Sequence, residues 1–209
     1  MSFDHNYGQD LRRLNPLEAA EIGHVLAAYC PPQAAVLDVG CGRGETLRWL
    51  AAHSEYRLSG VEADAEYAAI CNAVVGRAEQ LPFADGSFDA LLLQCVFSLL
   101  DEPKRAAQEA WRVLRAGGVL LLCDLYGRAG EAELRDNRLL RHIYAARTLC
   151  GFFTASGFSE RRFTDYTAAL QALLGQMIFD GTACDCLDES CRAALKQARA
   201  GYGLWVLQK

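Results

Sequence analysis

Lysine is scarce: only three occur in 209 residues, so the cationic total of 21 is otherwise arginine. Aspartate and glutamate number 26, leaving a formal net charge of −5. That balance argues against a chain whose main work is gripping nucleic-acid phosphates. Long apolar runs are also missing. The longest, residues 90–100, is interrupted by Gln94 and Ser98, and a bilayer crossing takes about 20 apolar residues. Residues 1–10 are polar and lack the apolar stretch of a secretory leader. Internal repeats, low-complexity tracts and Pro/Gly/Ser linkers are absent as well. Cysteine breaks this sparseness. There are nine, an odd number, and without a leader they point to a cytoplasmic chain with free thiols. Hydrophobic residues make up 52% and charged residues 22%, which describes a globular chain long enough to bury a sizeable core. The length suits one domain.

Apolar spacing predicts a helix over 17–29, stopped by Pro31-Pro32. Strands are expected at 35–39, 56–62, 73–75, 88–93 and 119–124. Helices are expected between them at 45–52, 65–72 and 103–114, the last ending at Ala116-Gly117-Gly118. This alternation argues for a parallel sheet covered on both faces. The remainder reads as one or two helices over 131–149, with 150–156 continuing helical, then a strand at 158–166 and helices at 168–179 and 189–200. A closing strand at 202–207 completes a late strand pair that fits an antiparallel edge, with the last strand antiparallel near one edge.

The informative segment is Val36-Leu37-Asp38-Val39-Gly40-Cys41-Gly42-Arg43-Gly44. In a doubly wound sheet, ligands bind beyond the carboxyl ends of the strands. Glycines there let the backbone approach a ligand, and the following helix offers free N–H groups. The pattern is D-x-G-x-G-x-G. A dinucleotide fingerprint would need its third glycine where Glu45 stands, and the G-K-[ST] of a phosphate loop is absent. A nucleoside ligand without a pyrophosphate fits better. The second strand ends at Glu62, where a carboxylate accepts hydrogen bonds from ribose hydroxyls.

Four motifs in order carry a resemblance: 36–44, 60–64, Gly76-Arg77-Ala78-Glu79-Gln80-Leu81-Pro82-Phe83 with Gly86-Ser87-Phe88-Asp89, and Arg112-Val113-Leu114-Arg115-Ala116-Gly117-Gly118. Through them the chain resembles the class I S-adenosylmethionine-dependent methyltransferases, in the small-molecule group that includes the quinone-biosynthesis C-methyltransferases. The resemblance implies a Rossmann-like, doubly wound, seven-stranded α/β sheet, mostly parallel, with an antiparallel last strand and helices on both faces. It implies one domain over 1–209: an N-terminal cap (1–33), a cofactor-binding core (34–126), and lid helices with closing strands (127–209). The implied cofactor is S-adenosyl-L-methionine, leaving as S-adenosyl-L-homocysteine, and the implied partner is a small-molecule acceptor, with no nucleic acid and no membrane span. Asp38, Gly40, Cys41 and Gly42 would lie against the methionine part. Glu62 would hold the ribose, and Ala63 would border the adenine. Ala78 would offer its backbone to the adenine. Many relatives carry Asp where this chain has Arg77, which leaves Glu79 or a backbone carbonyl to receive the adenine amino group. Gln94 would approach the amino or carboxylate end.

Methyl transfer from a sulfonium rests on alignment, and a base is needed only if the acceptor must lose a proton. No catalytic motif stands out. Cys95, Asp124 and Tyr126 are the candidates for the acceptor side: a thiol nucleophile or small core residue, a base or structural cap, and a pocket wall. His5 and Tyr7 lie in a segment that closes over the cofactor in relatives. Arg135, Arg138, Arg141 and His142 would share a helix face, either to hold an anionic substrate or simply solvated. Cys184, Cys186 and Cys191 are spaced for a soft metal or metalloid, or form an exposed loop with free thiols. Cys30, Cys71, Cys123 and Cys150 are expected to be packing residues. Two other functions stay open: a non-catalytic cofactor-binding partner protein, and a thiol-based metal- or metalloid-handling methyltransferase.

Overall fold

The computed structural model describes residues 15–134, 140–179 and 187–209. His5, Tyr7, Arg135, Arg138, Cys184 and Cys186 lie outside the described residues.

The chain runs α1 (Ala19–Tyr29), β1 (Ala35–Val39), α2 (Glu45–His53), β2 (Arg57–Glu62), α3 (Ala65–Cys71), β3 (Val74–Val75) and β4 (Phe88–Gln94). After a 3-10 turn at Phe97–Leu99 come α4 (Pro103–Val113), β5 (Leu114–Gly127), β6 (Ala132–Glu133), β7 (His142–Ile143) and α5 (Ala146–Ala155). The chain closes with β8 (Ser159–Asp165), α6 (Thr167–Phe179), α7 (Glu189–Gln197) and β9 (Ala200–Gln208). Seven strands form one sheet in the order β3-β2-β1-β4-β5-β9-β8. β1 to β5 are parallel where they pair, and β9 is antiparallel to both β5 and β8. The order reverses at β1, where β2 lies on one side and β4 on the other.

Alternation along the strands builds two cores. Val36, Ala90, Leu92, Leu121, Cys123, Leu204 and Val206 face α1, α2, α6 and α7. Leu37, Leu91, Leu93, Leu120, Leu122 and Leu207 face α4 and α5. The helix α4 shows why the pattern works: Ala106, Ala107, Ala110 and Val113 are buried, and Pro103 opens its first turn. Side chains fix other ends. Asp64 accepts the Glu66 and Tyr67 N–H groups at the start of α3 (2.9 and 3.3 Å), and Asp188 accepts the Cys191 N–H at the start of α7 (2.7 Å). The fifth strand runs past its expected end at 124 because β9 pairs with it out to Gly127↔Ala200.

The segment 131–149 departs from expectation. Among its described residues, Ala132 pairs opposite Ile143 and Glu133 opposite His142 in a short antiparallel ladder, and the expected helix starts only at Ala146, where α5 runs on through the 150–155 stretch. The Gly127 N–H donates to the Tyr144 carbonyl (2.8 Å), the Arg141 N–H to the Ser98 carbonyl (3.1 Å), and Leu134, Leu140 and Ile143 are buried. Tertiary hydrogen bonds and three buried anchors outweigh local helix propensity here. Of the four residues expected on one helix face, the two described, Arg141 and His142, lie next to and in β7 and not on a helix.

Two arginines of the fourth motif tie loops to the sheet. Arg112 donates to the carbonyls of Leu81 (3.0 Å) and Phe83 (2.8 Å), to Asp85 (2.8 Å) and to Glu109. Arg115 pairs with Asp89, whose other oxygen accepts the Ala35 N–H at 2.7 Å at the start of β1. Arg112→Ala is expected to destabilise the fold by about 2 kcal/mol, since carbonyls of a partly buried loop lose a charged donor. Arg112→Lys should restore little, lacking the fork. A urea midpoint unchanged in Arg112→Ala would refute this anchoring.

Candidate functional site

The candidate site lies at the carboxyl ends of β1, β2, β4 and β5. After β1 the backbone turns through Gly40, Gly42 and Gly44 at φ of +69°, +57° and +77°, values that suit glycine. A Cβ on Gly40 would stand 2.5 Å from a Val96 methyl. The Gly40 and Cys41 N–H groups both point at the Val61 carbonyl (2.7 and 3.2 Å), which curls the loop over β2. Glu62, half-buried, completes the join: its Oε2 accepts the Gly42 N–H at 2.8 Å and its Oε1 the Asp64 N–H at 3.1 Å. Asp38 lies beneath the loop, 1% exposed. Ala63 follows Glu62 on the exposed rim.

The expected adenine side is a tight turn in which the Gln80 N–H donates to the Arg77 carbonyl (3.0 Å). Ala78 and Glu79 are buried there. Arg77 turns outward, 3.2 Å from Glu79 and 3.7 Å from Asp101, and Asp101 also pairs with Arg141 of the hairpin region. Arg77 therefore leaves the turn with a buried carboxylate, that of Glu79. On β4, Gln94 is 2% exposed and its amide donates to the Thr46 hydroxyl (3.2 Å) at the start of α2.

Cys95, Asp124 and Tyr126 are not brought together. Cys95 takes a left-handed φ of +53°, a strained state for a residue with a Cβ. Its Sγ lies 3.2 Å from the Tyr202 hydroxyl, which donates to Asn15 Oδ1 at 2.9 Å. These groups share the face of α1 and α6. Asp124 binds the turn after β4: Oδ2 accepts the Ser98 N–H (2.9 Å) and Oδ1 the Leu125 N–H (2.7 Å). Tyr126 packs edge-on against Trp205 and Phe163 in the other core. Cys191 is fully buried on α7, and no grouping of three metal-ligating side chains occurs among the described residues. Cys30 and Cys123 are buried as expected, whereas Cys71 is half-buried with its Sγ 3.7 Å from that of Cys41.

Tyr202, Asn15 and Thr46 escaped the sequence reading, and Cys71 entered it only as a packing residue. Thr46 stands two residues past Gly44, in the first turn of α2, where a polar side chain beside the glycine loop is a signal. Tyr202 reaches Cys95 only through the Leu125↔Tyr202 register of an antiparallel pair.

The donor set can be tested for fit. Asp38 lies beneath the loop and Glu62 is bonded to it, while Glu79 is buried in the 77–80 turn and paired with Arg77; the carboxylate of Glu62 suits hydroxyls better than a diphosphate. The comparisons agree. The family described as "Methyltransferase domain" matches residues 37–122. The O-methyltransferase rstn1 of Aspergillus nomiae is 30% identical over 184 residues, 76% of this chain and 81% of that protein. The chain belongs to the class I S-adenosylmethionine-dependent methyltransferases. The malonyl-[acyl-carrier protein] O-methyltransferase of Methylococcus capsulatus is 33% identical over 157 residues, covering 68% of this chain but only 54% of its own length. The solved geranyl diphosphate C-methyltransferase of Streptomyces coelicolor, in complex with Mg2+, geranyl diphosphate and S-adenosyl-L-homocysteine, shares the fold. Its TM-score is 0.71 at 16% identity, over 90% of this chain and 78% of that one.

One buried acid in this methyltransferase has a measurable signature. Burial pushes the Asp124 carboxyl up to about 6 from 3.8, although the Ser98 and Leu125 N–H groups act in the opposite sense. The folded state thus holds this proton more tightly than the unfolded one. The stability it contributes is full below about pH 4 and is lost as pH rises through about 6, a change of about 3 kcal/mol. Asp124→Asn cannot ionise. Urea titrations should show the variant gaining on wild type by roughly that amount between about pH 4 and 7; parallel profiles would assign the effect elsewhere.

Proposed function

We propose that this chain transfers a methyl group from S-adenosylmethionine to a small-molecule acceptor by in-line displacement. The observation that carries the reading is the Gly42–Glu62 join, which sets a carboxylate suited to a diol against the glycine loop at the sheet's switch point. When bound, the cofactor supplies a methyl group already activated on sulfur. The chain's own task is then to align and to exclude water.

In this reading Glu62 holds the ribose hydroxyls and Ala63 borders the adenine. Asp38, Gly40, Cys41 and Gly42 line the methionine part. Ala78 meets the adenine through its backbone, and Glu79, which Arg77 pairs through Oε1, or a backbone carbonyl is the acceptor for the adenine amino group. Gln94, held by Thr46, faces the amino or carboxylate end. Cys95 marks the acceptor side, with Tyr202 and Asn15 behind it. Asp124 positions the turn that follows Cys95. Tyr126 is a wall of the α5 side.

A small acceptor is supported by the net charge of −5 and by a tail whose described parts are spent on a hairpin, three helices and two sheet strands. The domain reading is one unit: a cap over 1–33, a core over 34–126, and a lid with closing strands over 127–209.

Calorimetry with S-adenosylhomocysteine tests the site. Glu62→Ala should weaken binding about 10- to 100-fold, the loss of one or two hydrogen bonds to a charged group. Unchanged affinity would remove Glu62 from the ribose role, and no binding by wild type would remove the cofactor site. Release of S-adenosylhomocysteine from S-adenosylmethionine with small phenols, quinols, amines, thiols and carboxylic acids would then identify the acceptor class. Turnover with nucleic acid and none of these would overturn the small-molecule reading.

A further inference from the structure

We propose that Cys41 and Cys71 are a redox-responsive pair whose disulfide lowers the affinity of the glycine loop for the cofactor. The second half rests on the cofactor reading above; the first does not.

The two sulfurs lie 3.7 Å apart across 30 residues of sequence. Cys41 sits within the glycine loop and is 3% exposed; Cys71 ends α3 and is half-buried. The loop rests directly on the last turn of that helix. A Cβ on Gly44 would fall 2.4 Å from the Cys71 Cβ, so Gly44, at φ +77°, is required for the approach. The Cys71 thiol also reaches the Gly42 carbonyl (3.5 Å), on the residue whose N–H binds Glu62. A disulfide has its sulfurs about 2.05 Å apart, so closure brings them together by roughly 1.7 Å. It also removes the Cys71 S–H that reaches Gly42. Both changes act on the backbone that presents Gly42 to Glu62.

A low-molecular-weight disulfide such as oxidised glutathione supplies the oxidising equivalents. The more accessible Cys71, as thiolate, attacks one glutathione sulfur. That S–S bond breaks, and one glutathione thiolate leaves and takes up a proton. Cys41 is the poorer first nucleophile, because burial and then the Asp38 carboxylate push its thiol well above the usual range. It loses its proton as its sulfur attacks Cys71 Sγ in the mixed disulfide, releasing the second glutathione as thiol. Two protein thiols are oxidised, one glutathione disulfide is reduced, and two glutathione thiols result.

The test equilibrates reduced protein in glutathione buffers of rising oxidised fraction, then alkylates and digests it without reductant. Mass spectrometry should find a Cys41–Cys71 linked peptide. Calorimetry should find S-adenosylhomocysteine bound at least about tenfold more weakly, an ordinary size for coupled sites, with recovery on dithiothreitol. By the same linkage, S-adenosylhomocysteine should resist formation of the bond. The affinities of Cys71→Ser and Cys71→Ala should not respond to oxidised glutathione, whereas that of Cys150→Ser should respond as wild type does. Circular dichroism melts establish that each variant is folded. Separately alkylated Cys41 and Cys71 in fully oxidised glutathione would overturn the proposal, as would linked protein with unchanged affinity. Reduced protein that binds no S-adenosylhomocysteine would overturn the cofactor reading and the affinity effect, while the linked peptide would still establish the bond.

Discussion

The hydrogen bond from the Gly42 N–H to the Glu62 carboxylate joins the two strands that define this site. It can form only because β1 ends in a left-handed turn, which swings the loop back over β2. Three glycines permit that turn, and each is crowded or strained in a way a side chain would worsen. At the join Glu62 keeps a carboxylate at the end of β2, suited to a hydroxylated ligand, in a chain that belongs to the S-adenosylmethionine-dependent methyltransferases.

The sheet then divides what the site can use. Alternate residues of β5 face opposite cores, so Cys123 and Leu125 stand with α1 while Asp124 and Tyr126 stand with α5. Cys95 escapes the regular alternation through its left-handed backbone and joins Tyr202 and Asn15. Asp124 is tied to the turn after β4. A strained thiol thus meets a buried tyrosine beyond the end of β4, and a carboxylate holds the turn that follows. The β6–β7 pair after β5 is fastened to the same turn through the Arg141 N–H and the Ser98 carbonyl.

The strand ends that carry Asp38, the glycines and Glu62 were legible in the residues because their positions follow from local hydrophobic runs and turn residues, and the seven strands of the main sheet fell where those runs lie. The 131–149 segment was not legible. Its helix propensity competes with the Gly127 and Ser98 backbone groups and with burial of Leu134, Leu140 and Ile143, none of which is near in sequence. Tyr202 and Cys71 were hidden for the same reason: each becomes a neighbour of the site through a pairing or packing contact that spans the chain.

Residue order alone therefore decided the fold class, the switch point and the carboxylate that answers the glycine loop, since period, turn chemistry and strand ends are short-range properties. The folded chain decided which polar groups meet. Contact between Cys41 and Cys71, between Cys95 and Tyr202, and between Asp124 and Ser98 depends on strand register and on the seating of α3 against the loop. Those are set by the packing of two cores against one sheet, where a side chain's partners lie 26 to 107 residues away.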